Sequence, residues 1–435
     1  MKYVKNIGIL LVLVAMIMNM VGCRGQAPAN SGPKIVKVLT MQQAGPTPDE
    51  MNSIVAKFNE IHSDIKVEID YVSYDALHDK ITTAMSSSQP SYDVFLVDDI
   101  WYAEFAKGGY IWDVTSKIDE DMKANIFQAA WDITTVDGKV YGMPWLLDQM
   151  YLYYNADMLK QAGFDNPPKT WEEMENQSKV IKEKGLADYP IVWEWGQIEA
   201  SICDFVALLY GNGGTFVDAQ GKAAFNNEKG QQALSWMVKT LDEGISNPAS
   251  ISYGEEDCRN VFSQGGKAAF TLNWNYMYDM ANNNPKESKV NGKVKVALVP
   301  VFDAMAKTGL KSSTINGSMG FSVAAKSPNR DASWEFVKFL TSEPIQKEFS
   351  AHMLPIWSND FEGDSLISLE KLNASNPVMV PAFKAQFPYA HVRPKVPYYL
   401  EGSKALQLGL QQALTKQKSP VDALDDAAAK WNSMK

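Results

Sequence analysis

Residues 135–155, with the sequence TVDGKVYGMPWLLDQMYLYYN, combine a tight turn, a proline-containing extended segment and a tyrosine-rich strand. Asp137 and Gly138 lie between two short alternating runs, and an Asp-Gly pair is typical of a two-residue hairpin turn because both positions accept positive φ angles. Pro144 lacks a backbone donor and favours an extended residue before it, which excludes a helix there. We predict that this stretch is the first crossover between two lobes and that a ligand binds beside it.

The chain before this stretch alternates strand and helix patterns. Residues 34–40, 67–71 and 92–97 have the alternating or continuously apolar pattern of strands, and amphipathic helix patterns follow the first two. Strands that alternate with helices predict a mainly parallel sheet covered on both faces. Strand patterns recur at 267–272 and 294–299 among further helices. The predicted fold class is therefore α/β.

The segment that begins at Tyr141, YGMPWLLDQMYLYYNADMLKQAGFDNPPKTWEEM, resembles the domain-crossover region of the extracellular solute-binding proteins of ABC importers. It is most similar to the carbohydrate-binding family that includes maltose-binding protein. The resemblance extends, in order, over nearly the whole chain after the N-terminal segment.

The resemblance implies a two-lobed, periplasmic-binding-protein-like fold of class II type, with the ligand cleft between the lobes. The chain is expected to cross between the lobes at three hinge segments, near residues 145–149, 297–301 and 341–345. The expected first lobe consists of residues 34–146 and 300–343, and the expected second lobe of residues 147–299 and 344–435.

The N-terminus has the pattern of an export signal. Two lysines precede an apolar run over residues 7–20 that is too short to span a bilayer. The run ends in Met-Val-Gly-Cys23, which is similar to a bacterial lipobox, although methionine stands where leucine is usual. We predict a lipoprotein signal peptide over 1–22, a lipidated Cys23 and a flexible tether over 23–33 that holds the protein at the membrane surface. A plain secretory signal is the alternative.

The charge balance excludes some classes of ligand. The formal net charge is -10, and the chain has only four arginines, Arg24, Arg259, Arg330 and Arg393. Nucleic-acid binding needs clustered positive charge, so no nucleic-acid partner is expected. Because arginine is the preferred bidentate partner of phosphate, scarce arginine also argues against a highly phosphorylated ligand.

The sequence lacks the motifs of common catalytic and metal sites. Its four histidines form no HExxH motif, and no GxSxG, GxGxxG or Walker sequence is present. We therefore expect no metal, no cofactor and no catalytic residue. A carboxylate pair for glycoside hydrolysis nevertheless stays possible among Asp98, Asp99, Asp148 and Glu194. Whether Cys203 and Cys258 form a disulfide is also open, because spacing alone does not give their distance.

The candidate ligand-binding residues are mainly polar and aromatic side chains that follow predicted strands. Sugar hydroxyls bind carboxylates, amides and backbone groups, and sugar C–H faces pack on tryptophan and tyrosine rings. The resemblance implies ligand contacts for Asp99 and Trp101 after a buried strand. It implies the same for Asp148 after the crossover proline and for Trp274 after a strand of the second lobe. The full set is Gln42, Gln43, Asp98, Asp99, Trp101, Trp145, Asp148, Trp193, Glu194, Trp195, Trp274, Asn316, Gly317, Arg393 and Tyr398.

Several of these positions have a second interpretation. Asp98 or Asp99 could simply cap the helix that follows. Trp193 or Trp195 could belong to the core. Arg393 could form a surface or interlobe ion pair instead of a ligand contact.

These observations predict a lipid-anchored, monomeric receptor on the extracellular face of the cell membrane, periplasmic if the cell has an outer membrane. The expected ligand is a neutral carbohydrate, an oligosaccharide, which the two lobes bind by hinge closure. The resemblance implies that the closed form then docks on ABC permease subunits. Three alternatives remain: a receptor of the same family for a glycerol-phosphate ester or another small polar solute, a secreted glycoside-acting enzyme, and a surface adhesin or structural lipoprotein.

Overall fold

The computed structural model describes residues 32–42, 45–286, 288–351 and 353–435. The predicted signal peptide, Cys23, most of the tether and Gln43 lie outside the described residues. Within these ranges, no helix is long and apolar enough to cross a membrane.

Twelve strands are present in the described part of the chain. In chain order they are β1 (Lys34–Met41), β2 (Ile65–Val72), β3 (Val94–Asp98), β4 (Thr135–Val136), β5 (Lys139–Val140), β6 (Met143–Leu146), β7 (Tyr151–Asn155), β8 (Phe270–Asn273), β9 (Val294–Ala297), β10 (Thr314–Ile315), β11 (Met319–Val323) and β12 (Ala390–His391).

The α-helices of the same ranges cover the sheets and fill the segments between strands. They are Pro48–Ile61, Tyr74–Met85, Tyr102–Lys107, Glu120–Asn125, Gln128–Thr134, Ala156–Ala162, Trp171–Glu183, Glu199–Gly211, Glu228–Asp242, Glu255–Ser263, Met277–Asn283, Asp303–Ala306, Arg330–Leu340, Glu343–Glu348, Gly363–Leu372, Met379–Gln386, Tyr399–Leu414 and Pro420–Ser433.

The first lobe is built on a five-stranded sheet with the order β2-β1-β3-β11-β6. β1 pairs in parallel with β2 and β3, as the alternation of strands and helices predicts. β11 runs antiparallel to both β3 and β6. Because β6 is antiparallel to β11, it runs in the same direction as β1, β2 and β3. Four of the five strands are therefore parallel, as predicted, and β11 is the reversed one. The physical reason is that β11 is entered from the second lobe, so no crossover helix returns the chain to the starting edge.

The second lobe contains a three-stranded sheet with the order β8-β7-β9, in which β7 pairs antiparallel with both neighbours. β4 and β5 form the predicted hairpin, and its turn has φ angles of 49° at Asp137 and 75° at Gly138. The crossover stretch therefore runs from a hairpin through β6 of the first sheet to β7 of the second. The first crossing lies between these two strands.

The other two crossings differ in position from the prediction. Val301 forms a bridge with Thr170, and the Phe302 N–H donates to the Gly211 carbonyl, so the segment after β9 still packs on helices of the second lobe. Further on, the Phe127 N–H donates to the Ile356 carbonyl, so the chain beyond residue 344 still packs on the first lobe. We propose crossings at residues 316–318 and near Asn376 in place of the predicted ones. Asn376 Nδ2 donates to the Ala351 carbonyl, and its Oδ1 accepts from Asn283 of the second lobe.

Candidate functional site

Two adjoining cavities lie between the lobes, beyond the carboxyl ends of β1 and β3. The inner cavity has a volume of about 60 Å³ and the outer one about 460 Å³. Residues shared by both linings make them one continuous cleft. The inner cavity is lined by Met41, Tyr74, Asp98, Leu146, Asp148, Glu199, Ala200, Cys203, Glu255, Trp274, Tyr276, Gly317, Met319 and Arg393.

The turn after β3 brings one predicted carboxylate to the inner cavity. The Asp98 side chain accepts a hydrogen bond from the Ile100 N–H (3.3 Å) and caps a short helical turn, which is the capping role that the sequence left open. It also accepts from the Tyr74 hydroxyl at 2.8 Å. Trp101 is 2% exposed and stacks on Tyr74 with ring centroids 5.5 Å apart. Tyr74 therefore faces the cavity, and Trp101 supports it from behind.

Arg393 joins the two lobes at one end of the cleft. Its Nη2 lies 3.1 Å from Asp98 Oδ1 and 2.8 Å from Asp99 Oδ1, on the first lobe. Its Nη1 lies 2.9 Å from Oε1 of Glu199, the first residue of a second-lobe helix. The Tyr399 hydroxyl donates to the same Glu199 oxygen at 2.7 Å. The interlobe ion pair, one of the alternatives for Arg393, is therefore the arrangement that the structure has.

Asp148 connects the first crossing to the opposite wall. Its backbone N–H donates to Ser318 Oγ (3.1 Å), and its Oδ1 accepts from the N–H groups of Gln149 (3.0 Å) and Asn275 (3.2 Å). Its backbone carbonyl accepts from the Gly317 N–H at 3.0 Å. Burial raises the pKa of Asp148 to about 7, although the two backbone donors oppose the shift. This carboxyl therefore faces the cavity with neutral hydrogen-bond donors around it.

Trp274 forms the aromatic wall of the inner cavity. Its indole Nε1 donates to Glu255 Oε1 at 2.9 Å, and its carbonyl accepts from the Tyr153 hydroxyl at 2.6 Å. A side chain larger than hydrogen at Gly317 would overlap the indole ring, so glycine is required for this close approach. Burial raises the pKa of Glu255 to about 7. Trp274, Asp148 and Gly317 are therefore brought together, as the sequence analysis expected.

The structure places three other predicted residues in the core of the second lobe. Trp193 and Trp195 stack with ring centroids 4.9 Å apart, and Trp193 also packs on Trp171 and Trp236. Glu194 between them is 1% exposed. The tryptophans follow a short strand-like segment, but helices cover this segment on both sides, and the core alternative is correct for them.

Two further predicted aromatic residues also pack inside the lobes. Trp145 is 1% exposed and meets Phe321 edge-on, because it lies on the face of β6 that is turned into the first lobe. Tyr398 packs on Trp431 near the C-terminus. Neither residue is among the described ones that line the two cavities.

The remaining predicted residues lie at the edges of the cleft. Gln42 lines the outer cavity. Asn316 lies at the second crossing, where its side-chain oxygen accepts from the Ser318 N–H at 2.8 Å and its own N–H donates to the His391 carbonyl. Gln43 is outside the described residues, and its contact with a ligand stays a prediction.

Several lining residues were not predicted, and a common signal marks two of them. Glu199 and Glu255 are each the first residue of a helix. An acidic residue at a helix start has a local explanation in the helix dipole, so its role in a cleft is not visible from sequence. Tyr276 could have been found, because it extends the Asn-Trp-Asn motif that pointed to Trp274.

The described residues contain no group of three histidine, cysteine, aspartate or glutamate side chains placed to hold a metal ion. Cys203 and Cys258 are both buried and both free, so no disulfide joins them. The walls of the inner cavity carry carboxylate, hydroxyl, indole and guanidinium groups, which can form hydrogen bonds and stacking contacts.

Residues 44–347 match the family described as bacterial extracellular solute-binding protein. The chain belongs to this family. The solute-binding protein is 34% identical over 262 residues to a probable ABC transporter-binding protein of Deinococcus radiodurans, and the match spans 59% of each chain. The family match confirms the prediction that the chain is a solute-binding protein of an ABC importer, from the family that includes maltose-binding protein.

Two solved structures share the fold of the solute-binding protein. The maltose-bound MalE3 of T. maritima superposes with a TM-score of 0.83 at 28% identity, over 92% of this chain and 100% of that chain. A solute-binding protein of Thermotoga lettingae bound with alpha-D-tagatose superposes with a TM-score of 0.79 at 26% identity, over 92% of this chain and 99% of that chain. The two-lobed α/β fold predicted from the sequence is confirmed.

Proposed function

We propose that the solute-binding protein binds a carbohydrate without negative charge, an oligosaccharide, in the cleft between its lobes and delivers it to an ABC importer. The observation that carries this proposal is the inner wall formed by Trp274, Asp148 and Glu255. A flat indole offers the stacking surface for a sugar ring, and the two carboxyls beside it accept hydrogen bonds from hydroxyls. The maltose and tagatose of the two superposed proteins support the same class of ligand.

The state of Arg393 argues against an anionic solute. Of the described residues that line the two cavities, Arg393 is the one lysine or arginine, and it is bound to Asp98, Asp99 and Glu199. A phosphate ester would have to displace these carboxylates while entering a cleft with excess negative charge. The glycerol-phosphate alternative is therefore disfavoured by the same charge balance that favours hydroxyl-rich ligands.

Hinge closure is the mechanism that this cleft supports. The contacts of Arg393 with carboxylates of both lobes depend on the lobes being close. A ligand that touches both walls binds the closed state better and shifts the population towards it. The closed protein then docks on permease subunits, as a monomer held at the outer face of the membrane by lipidated Cys23.

Calorimetric titration of the purified protein with mono- and oligosaccharides tests the proposal. The panel contains maltose, maltotriose, cellobiose and free glucose, with glycerol 3-phosphate as the anionic control, and chromatography checks for turnover. We expect saturable binding of at least one saccharide, unchanged saccharide after incubation, and no binding of glycerol 3-phosphate. Hydrolysis would establish the enzyme instead, and binding of the phosphate ester alone would contradict the carbohydrate assignment.

The membrane anchor has a separate test. Metabolic labelling with a fatty acid should modify the wild-type protein, and Cys23→Ser should abolish the label and release the protein from the membrane fraction. Retention of the label in the variant would contradict lipidation at Cys23 and leave the plain secretory signal.

A further inference from the structure

The walls of the cleft carry far more negative than positive charge. Of the described residues that line the two cavities, seven are acidic and one is basic. The acidic residues are Asp75, Asp98, Asp148, Glu199, Glu255, Glu256 and Asp257. Neutral sugars need hydrogen-bond acceptors, but they do not need a net negative site. The excess charge therefore requires an explanation of its own.

Part of this charge is already compensated. Arg393 forms ion pairs with Asp98 and Glu199 at one end of the cleft. Arg259 Nη2 lies 2.7 Å from Glu256 Oε2 at the outer cavity. Asp75 and Asp257 are exposed to solvent. The carboxyls without such compensation are therefore those of the inner wall.

The inner-wall carboxyls of Asp148 and Glu255 have only neutral donors in the contacts that the structure describes. Asp148 Oδ1 accepts from two backbone N–H groups, and Glu255 Oε1 accepts from the Trp274 indole. Lys395 lines neither cavity, and its ammonium group donates to the Ile133 carbonyl at 3.1 Å. Neither carboxyl forms an ion pair in the described contacts, since Arg393, on the lining of the same cavity, is paired with Asp98, Asp99 and Glu199.

A third buried carboxyl adds to the imbalance. Glu194 is 1% exposed, and neither of its side-chain oxygens has a hydrogen-bond donor among the described residues. Glu194 lines neither cavity; burial raises the pKa of its carboxyl well above the ordinary value, and the charges of Glu255 and Asp204 raise it further. A carboxylate held in a poorly solvated site is unfavourable unless a positive charge is placed beside it. For Asp148 and Glu255, which line the inner cavity, the ligand is the component that could bring this charge.

We propose that the solute is an amino-substituted saccharide, whose protonated amine binds at the Asp148–Glu255 wall while its ring stacks on Trp274. This inference rests on the proposed function, which already assigns a saccharide to this cleft, and it specifies the substituent. An ammonium group donates up to three hydrogen bonds and supplies the missing charge, whereas a hydroxyl supplies only the hydrogen bond. The hydroxyl-rich remainder of the ligand occupies the rest of the cleft.

Pairs of saccharides that differ only in amine against hydroxyl test this inference. Chitobiose, made of two β-1,4-linked glucosamines, is compared with cellobiose by calorimetry at a pH where the amine is protonated. Maltose and its 2-amino-2-deoxy derivative form the α-linked pair. In the series that binds, we expect the amino sugar to bind about tenfold tighter or more, because hydrogen bonds to charged groups are the stronger ones.

The Glu255→Gln variant distinguishes charge from shape. Glutamine keeps the size of the side chain and an oxygen for the Trp274 indole, so the preference for the amino sugar should fall by about tenfold while affinity for the hydroxyl sugar stays within about twofold. Glu370→Gln, on the exposed face of the helix Gly363–Leu372, is the control and should leave both affinities unchanged. Asp148→Asn provides a second test if Glu255→Gln does not fold.

The outcomes separate this inference from the proposed function. Equal or tighter binding of the hydroxyl sugars would overturn the inference and leave the carbohydrate receptor intact. A Glu255→Gln variant that weakens both members of a pair equally would also overturn it, since the carboxyl would then act only as a hydrogen-bond acceptor. Absence of binding by every saccharide would contradict the inference and the proposed function together.

Discussion

The cleft contains two sets of carboxylates that differ in their partners. At one end, Asp98, Asp99 and Glu199 share the guanidinium of Arg393, which joins the lobes. At the other end, Asp148 and Glu255 face the cavity with neutral donors. The first set of carboxylates is already paired with Arg393, so these ion pairs stabilise the contact between the lobes. The second set is open to a ligand. The number of acidic residues in a cleft therefore does not predict the charge of its ligand until the partner of each carboxylate is known.

The largest effect is expected at the compensated end. Arg393→Met should lower the free energy of unfolding by about 3–5 kcal/mol, because removing one partner of a buried ion pair leaves its charges uncompensated. Arg330→Met, at an exposed arginine, should change it by less than about 0.5 kcal/mol. Urea denaturation followed by circular dichroism measures both. If both variants lowered the free energy of unfolding by a similar, small amount, the ion pairs of Arg393 would not be what stabilises this end of the cleft.

At the ligand end, the next largest effect is expected for Trp274→Ala. Loss of the stacking surface should weaken saccharide binding by about 2 kcal/mol or more, as is usual for a buried aromatic contact at the centre of a site. Trp112→Ala, which removes an indole that contacts Lys117 and Arg330 instead of the cleft, should leave the affinity unchanged. Calorimetry with the saccharide that binds tightest gives both values. Unchanged binding in the Trp274 variant would move the ligand away from this wall.

Gly317→Ala tests whether the two walls have to meet. The added methyl group overlaps the Trp274 ring, so the closed state should be disfavoured and the affinity reduced by about 1–3 kcal/mol. Since opening the lobes relieves the overlap, the melting temperature should fall little. Gly211→Ala is the control, because it lines neither cavity and its methyl group would make only ordinary contacts of 3.5 Å with Pro300, Ser313 and Trp171. Small-angle X-ray scattering should show a larger radius of gyration for the Gly317 variant in the presence of ligand.

The smallest expected effect is on the pH dependence of stability. Burial raises the pKa of Asp148 to about 7, so the folded protein binds a proton that the unfolded chain releases near its ordinary value. The stability that this carboxyl contributes is therefore present at low pH and is lost as the pH rises through about 7. Asp148→Asn should gain stability relative to wild type as the pH increases from about 4 to about 8. A difference that does not change with pH would contradict the raised pKa.

Local features of the fold were the easiest to predict. The Asp137–Gly138 hairpin depends on the φ preferences of two adjacent residues, and the strands of the first half depend on a short apolar pattern. The antiparallel direction of β11 was not predictable in this way. It follows from where the chain re-enters the first lobe, and no local pattern encodes that point.

The candidate site shows the same limit. Trp274 and Trp195 both follow short extended segments and both have polar neighbours in sequence. The Trp274 ring packs on Gly317 at the second crossing, whereas Trp195 stacks on Trp193 inside the second lobe. The difference arises from helices that cover one segment and leave the other open, which is a long-range property. For the same reason Glu199 and Glu255, which have a local explanation at helix starts, were missed.

A crystal structure of the protein with the tightest-binding saccharide tests the comparison of the two ends most directly. We predict a sugar ring stacked on Trp274, ligand polar atoms within hydrogen-bond distance of Asp148 and Glu255, and an Arg393 guanidinium still bound to Asp98 and Asp99. A saccharide that binds outside this wall, or one that takes Arg393 away from its carboxylates, would contradict the account.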